Sequence, residues 1–74
     1  MLDDRQCQID FGKFIREARE QKHIYQSQIA SQLDMSQQYY SYIENGTRNV
    51  DFVTALKICQ ILNLDMNDFI RNYL

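Results

Sequence analysis

Two adjacent glutamines, Gln37 and Gln38, stand at the start of a short polar segment, directly after a serine that suits the first position of a helix. A carboxamide carries an acceptor and N–H donors in one plane, so it can pair with a flat edge that offers a donor and an acceptor. The adenine edge in the DNA major groove offers that pair at N6 and N7. Ser41 and Tyr42 follow one helical turn later and would share the same face. This spacing therefore indicates hydrogen bonding to bases.

A helix has to present that face, and the chain carries the signals for one from Gln37 to Asn45. Ser36 can cap its N-terminus. Asp34 tolerates the left-handed backbone that a tight turn before the helix requires. Gly46 can end the helix in the same left-handed conformation.

Capping residues and apolar periodicity predict four further helices. Their predicted spans are Asp10 to about Lys22, Gln26 to Leu33, a segment after Asp51 through Leu62, and a segment after Asp65. The residues expected to be buried include Phe11, Phe14, Ile15, Ala18, Ile29, Ala30, Leu33, Tyr40, Ile43, Val53, Leu56, Ile58, Cys59, Ile61 and Leu62. Residues 1–9 are predicted to form a flexible leader. Residues 10–74 are predicted to form one all-α domain, a compact bundle of five short helices with a central helix-turn-helix.

Size and composition restrict the class of protein. The chain has 74 residues, no proline and two glycines, which favours one small helical domain. It has no signal-peptide pattern and no stretch near the roughly 20 apolar residues of a membrane span, so a cytoplasmic protein without membrane contact is expected. It has no nucleophile with a neighbouring base and no phosphate-binding glycine loop. We therefore expect no enzymatic activity, no cofactor and no small-molecule ligand.

Residue types that commonly bind metal ions are sparse. Cys7 and Cys59 match no metal-ligand spacing and are expected to be free thiols. His23 has no second histidine or paired cysteine, and its place near the end of the first predicted helix suits a partial positive charge. No metal site is therefore expected.

Four segments carry a family pattern in the same order and spacing. They are Gln26-Ser27-Gln28-Ile29-Ala30, Leu33-Asp34-Met35-Ser36, Ser41-Tyr42-Ile43-Glu44-Asn45-Gly46 and Leu62-Asn63-Leu64-Asp65-Met66-Asn67-Asp68-Phe69. None is specific alone, but together they are. With them, residues 11–70 resemble the lambdoid phage repressor and Cro-like helix-turn-helix family, including the xenobiotic-response-element-type (XRE) bacterial regulators. The resemblance implies a lambda repressor-like domain that binds double-stranded DNA.

The resemblance also implies roles for individual residues. Gln37, Gln38 and Tyr42 match base-facing positions, and Ser41 shares their predicted face. Arg19 and Glu44 match a structural ion pair between the first and third helices. The residues expected to approach the DNA backbone are Gln26, Ser36, Tyr39, Asn45, Thr47 and Arg48. For Tyr39 two alternatives are about equally open, a contact with a DNA phosphate and an exposed position without a role in binding.

Three positions depart from the family pattern. Tyr25 stands where serine or threonine is frequent, His23 replaces a frequent glycine, and Val50 replaces a frequent proline. Tyrosine cannot cap the second helix in the usual way. That helix is therefore expected to have a weaker N-terminus or another kind of cap.

Two functions stay open. The leading one is a sequence-specific transcriptional regulator of bacterial or phage type, most often a repressor, that binds an inverted-repeat operator as a homodimer. The apolar residues of the fifth helix, Met66, Phe69, Ile70 and Tyr73, are the candidate dimer surface. The alternative is a module that binds a partner protein through the same fold. The net charge of −2 favours this alternative, because phosphate-binding domains are usually basic.

Overall fold

The computed structural model describes residues 3–74, which form helices joined by short turns. The helices are α1 (Asp4–Gln21), α2 (Gln26–Gln32), α3 (Gln37–Asn45), α4 (Phe52–Ile61) and α5 (Met66–Tyr73). Between residues 3 and 74 there is no β-strand, so the predicted all-α bundle of five helices is confirmed. No helix in this part of the chain is long and apolar enough to cross a membrane. Both cysteines are free, and burial raises the pKa of the Cys59 thiol.

Helix α1 begins earlier than predicted. The Asp3 carboxylate accepts the backbone N–H groups of Arg5 (2.9 Å) and Gln6 (3.3 Å), so Asp3 is the N-cap. The predicted start at Asp10 is wrong, because that carboxylate accepts from Gln6 Nε2 (3.0 Å) within the helix. The prediction of a flexible leader is wrong for residues 4–9, which form the first turns of α1. They are helical because Asp3 caps them and Cys7 packs against the core. Residues 1 and 2 of the predicted leader lie outside the described residues.

The core lies where α3 packs against α1 and α2, and where α5 packs against α1. Its buried apolar residues are Phe11, Ile15, Ala18, Ile29, Ala30, Tyr40, Ile43, Ala55, Ile58, Cys59, Leu62 and Phe69. Tyr40 and Ile43 are therefore core residues, as predicted. Between α1 and α5, four aromatic rings lie with neighbouring centroids 5.4 to 6.4 Å apart, those of Phe11, Phe14, Phe69 and Tyr73. Contacts of this kind suit aromatic pairs and close this end of the core.

Helix α4 buries one face only. Its buried positions recur every three or four residues and are Ala55, Ile58, Cys59 and, at the C-cap, Leu62. The prediction that Val53 and Leu56 are buried is wrong, since they are 58% and 43% exposed. The helical period places both away from the buried face. Phe52, the first residue of α4, is 73% exposed.

The backbones of α1 and α3 meet at Gly12. A Cβ atom there would lie 2.2 Å from the Glu44 carbonyl oxygen and 2.8 Å from that of Ile43. Both neighbours are backbone atoms, which cannot move aside as a side chain could. A second close approach joins Gly46, with a φ of 75°, to Ile9, whose Cα would lie 2.7 Å from an added Cβ. Glycine therefore allows α3 to lie directly on α1 at two points.

Gly12→Ala should destabilise the domain, although alanine is the better helix former by about 1 kcal/mol. The added methyl group pushes α1 away from α3, and overpacking of this kind typically costs about 1–3 kcal/mol. Thermal unfolding followed by circular dichroism measures the loss. Lys13→Ala, at an exposed neighbouring position, is the matched control. A midpoint for Gly12→Ala equal to that of the control would contradict the close approach.

Candidate nucleic-acid interface

The turn between α2 and α3 sets where α3 begins. Asp34 adopts the left-handed conformation with a φ of 57°, as its type predicted. The Ser36 hydroxyl oxygen then accepts the Tyr39 N–H at 3.1 Å and caps α3. At the other end, Gly46 stops the helix in the left-handed conformation. The predicted cap, turn and stop are confirmed, and α3 is a short helix with sharply defined ends.

Helix α3 has two faces of opposite character. Tyr40, Ile43 and Glu44 are buried. The outward face consists of exposed Gln37, Gln38 and Asn45 and half-buried Ser41 and Tyr42. At 3.6 residues per turn these positions fall within one arc of the helix. The arc presents amides, a hydroxyl group and a phenol, and none of its side chains is charged.

The outward face is ordered by contacts among its own side chains. Gln38 Nε2 donates to the Tyr42 hydroxyl oxygen at 2.8 Å. The Arg48 guanidinium carbon lies 5.4 Å from the centroid of the Tyr42 ring, within the range of a cation–π contact. Thr47 donates from its N–H (3.0 Å) and its Oγ1 (3.2 Å) to the Tyr42 carbonyl oxygen. The loop after α3 is thereby held against the helix.

The residues predicted to approach the DNA backbone lie around this face but in different settings. Ser36 and Tyr39 are exposed at the N-terminal end of α3, and Thr47 and Arg48 are exposed beyond its C-terminal end. Gln26 is half buried, and its Nε2 donates to Glu44 Oε1 at 3.0 Å. The structure therefore gives Gln26 a contact inside the domain that the sequence did not reveal.

A buried carboxylate, Glu44, joins the first three helices. Arg19 Nε lies 2.7 Å from Glu44 Oε2, and a second guanidinium nitrogen donates to Oε1 at 3.0 Å. The remaining guanidinium nitrogen donates to the Ile24 carbonyl oxygen at 2.8 Å. The Glu44 side chain is 0% exposed and that of Arg19 is 11% exposed. The hydrogen bond to Glu44 raises the pKa of Arg19, so the guanidinium group is charged. We call Arg19, Gln26 and Glu44 the Glu44 cluster.

The phenol of Tyr40 lies beside this cluster. Its hydroxyl is buried and has no hydrogen-bond partner among residues 3–74. Burial, followed by the negative charge of Glu44, raises the pKa of Tyr40 well above its ordinary value. Tyr40 is therefore neutral over the whole working pH range and serves the core, not the outward face.

The N-terminus of α2 is capped without the usual side chain. Tyr25 provides no side-chain hydrogen bond to the helix. Instead, the Tyr25 N–H donates to Gln28 Oε1 at 2.8 Å, and the Gln28 N–H donates to the Tyr25 carbonyl oxygen at 3.0 Å. Gln28 therefore supplies the other kind of cap expected at this position.

The predicted dimer surface on α5 needs correction at Phe69. This ring is 4% exposed, because it packs edge-on against Phe11 with centroids 5.4 Å apart. Met66 and Tyr73 are half buried, whereas Ile70 is 50% exposed. Of the four predicted residues, Ile70 therefore offers the most free apolar surface.

Comparison with known proteins agrees with this geometry. Residues 15–69 match the model of a family described as helix-turn-helix. The chain belongs to the helix-turn-helix family. Its XRE-type resemblance and its lambda repressor-like fold are confirmed. As a member of this family the chain is a DNA-binding transcriptional regulator, and its nucleic-acid partner is double-stranded DNA.

Two curated relatives share most of their length with this helix-turn-helix chain. One is the ImmF control region 10 kDa protein of Bacillus phage phi105, 37% identical over 67 residues, which cover 90% of this chain and 70% of the relative. The other is the control protein C.MunI of Mycoplasma sp, 38% identical over 61 residues, which cover 81% of this chain and 82% of the relative. In each case the similarity extends well beyond α2, α3 and the turn between them.

Glu44→Ala should unfold the domain or bring it close to unfolding. Loss of the carboxylate leaves the Arg19 guanidinium buried without its partner, which commonly costs about 3–5 kcal/mol. Thermal or urea unfolding measures the effect. Arg71→Ala is the matched control, because it removes an ion pair with Asp68 whose side chains are 66% and 49% exposed, a contact worth less than about 1 kcal/mol. Equal unfolding midpoints for the two variants would show that the Glu44 cluster contributes no more to stability than an exposed ion pair does.

Proposed function

We propose that this chain is a sequence-specific repressor of transcription that reads the major groove of double-stranded DNA with α3. The observation that carries the proposal is the outward face of α3, where Gln37 and Gln38 are exposed next to Ser41 and Tyr42. An α-helix with its side chains is about 10–12 Å wide and fits a major groove about 12 Å wide. Amides placed there can pair with adenine edges, and hydroxyl groups can pair with several bases.

The flanks of α3 support the same orientation on DNA. Candidate backbone contacts lie around the outward face of α3 and at its C-terminal end, and they are Gln26, Ser36, Tyr39, Asn45, Thr47 and Arg48. Contacts of this kind set the register of a protein on the duplex, whereas base contacts give the sequence preference. The names of the two relatives, one a control-region protein and the other a control protein, support a regulatory role.

The charge of the chain shapes how it would bind. The net charge is −2, and Arg48 is the one cation among the proposed DNA contacts. Each neutralised phosphate contributes a salt slope of about −0.9, so few charged contacts imply a shallow slope. Affinity then depends on hydrogen bonding and on joining two copies on one operator.

A homodimer on an inverted repeat completes the proposal. It is supported by the large apolar side chains that α4 and α5 leave exposed, namely Phe52, Val53, Leu56 and Ile70, with Leu74 at the C-terminus. Such surface on a small domain commonly marks a protein contact. Two copies related by a two-fold axis would place their α3 helices in successive major grooves.

Selection of bound duplexes from a random library, at moderate salt and followed by sequencing, tests the proposal. The wild-type protein should enrich an inverted repeat whose half-sites lie about 10 base pairs apart. Gln37→Ala should lose roughly 1–3 kcal/mol of discrimination at one base pair in each half-site. Asn45→Ala, at the C-terminal end of α3 where a backbone contact is proposed, is the matched control and should weaken all sequences alike.

Two outcomes of this selection would count against the proposal. No enrichment by a folded wild-type protein would point to a partner protein instead of DNA. An unchanged preference in Gln37→Ala would show that α3 does not read the bases.

Phe52→Glu should shift the protein from dimer to monomer and remove the preference for an inverted repeat. A charge replaces an apolar side chain that is 73% exposed in the single chain and would be buried between two copies. Sedimentation equilibrium gives the mass. Tyr25→Glu, which changes an aromatic residue that is 74% exposed on another part of the surface, should leave the mass unchanged. A Phe52→Glu protein that remains dimeric would place the dimer contact elsewhere.

A further inference from the structure

Tyr42 lies between two other polar side chains on the outward side of the domain. Gln38, one helical turn earlier, donates from Nε2 to the Tyr42 hydroxyl oxygen at 2.8 Å. Arg48, in the loop after α3, has its guanidinium carbon 5.4 Å from the centroid of the Tyr42 ring. We call Gln38, Tyr42 and Arg48 the Tyr42 unit.

The backbone holds the Tyr42 unit together. Thr47 donates two hydrogen bonds to the Tyr42 carbonyl oxygen, at 3.0 and 3.2 Å, and so brings the loop back over the helix. The preceding Gly46 lies against Ile9, so the start of the loop also packs on α1. Arg48 therefore reaches the Tyr42 ring from a supported backbone.

The hydrogen bond within the unit determines what each group can still offer. A phenol has one O–H donor and can accept through its lone pairs. Because the Tyr42 oxygen already accepts from Gln38, its own hydrogen is left to donate. The Gln38 amide keeps its carbonyl oxygen and one N–H, which are the acceptor and donor that an adenine edge requires.

On the basis of the proposed function, we propose that the Tyr42 unit recognises DNA as one body, with Tyr42 as its specificity-determining residue. The Tyr42 O–H donates to a major-groove acceptor next to the base pair that Gln38 reads. Purine N7, guanine O6 and thymine O4 are such acceptors, whereas cytosine presents an amino donor. Tyr42 therefore disfavours cytosine at that position. Its ring also holds the Arg48 guanidinium ready for a neighbouring phosphate.

A double-mutant cycle on the selected operator tests this coupling. The variants are Gln38→Ala, Tyr42→Phe and the double variant, with Kd measured by fluorescence anisotropy on the operator and on its single-base substitutions. Tyr42→Phe keeps the ring and removes the hydroxyl group. It should weaken operator binding by about two- to tenfold and lower the penalty for cytosine. The double variant should bind more tightly than the product of the two single losses predicts.

Two further cycles separate coupling from general weakening. Gln37→Ala combined with Tyr42→Phe is the matched control, and its losses should multiply. Tyr42→Leu combined with Arg48→Ala should fall short of multiplication, because the ring that orients the guanidinium is gone. Thermal unfolding of each variant checks that the fold is retained.

The outcomes distinguish this inference from the proposed function. A wild-type protein without any sequence preference would overturn the proposed function and this inference with it. A wild-type protein with a clear preference, but with losses that multiply in the Gln38–Tyr42 cycle, would overturn the inference alone. In that case the 2.8 Å bond is only a contact between neighbouring surface side chains.

Discussion

The rest of the structure depends on the burial of one negative charge. The Glu44 side chain is fully removed from solvent, and such a carboxylate is tolerated only if donors surround it. Two guanidinium N–H groups come from α1 and one amide N–H comes from α2, whereas Glu44 itself belongs to α3. The requirement to satisfy one carboxylate therefore specifies how three helices lie relative to each other. A buried pair of this kind is weak evidence for net stability, but it is strong evidence for a single arrangement.

At the same place on α3 the backbone of this helix lies directly against α1. The carbonyl oxygen of Glu44 would lie 2.2 Å from a Cβ atom at Gly12, so backbone contact and charge pairing act at one residue. Two residues before Glu44 and one residue after it, half-buried Tyr42 and exposed Asn45 lie on the outward face of the helix. Errors in the placement of Glu44 would therefore displace the outward face of α3 directly. This explains why a short helix of nine residues can present side chains in a defined direction.

The sequence could predict the features that depend only on residues close together in the chain. Ser36, Asp51 and Asp65 cap the helices that follow them, and Asp34 and Gly46 turn the chain, because each needs only local hydrogen bonds or backbone freedom. The sequence could not select one of several helix starts or buried faces that differ only in how they pack against the rest of the domain. The start of α1 is one such case, because the predicted start is Asp10 whereas Asp3 caps the helix. The pattern of α4 is apolar on several sides, so its buried face could not be selected without its neighbours. Within the candidate site, the outward face followed from the helical period, but the contact of Gln26 with Glu44 joins two helices and leaves no local signal.

The outward face of α3 and the chain as a whole differ in charge. The arc of α3 that faces outward carries amides, hydroxyl groups and a phenol, whereas the chain as a whole has a net charge of −2. A domain of this kind gains little from counterion release and must obtain its preference from hydrogen bonds of defined direction. Defined direction requires side chains that are already held in place, which is what the bonds from Gln38 and Thr47 to Tyr42 achieve. It also makes a second copy valuable, because two weakly attracted half-site contacts on one operator bind far more tightly than either alone. The exposed apolar residues on α4 and α5 lie outside α3, so a contact between copies through them would not use the side chains of the outward face of α3.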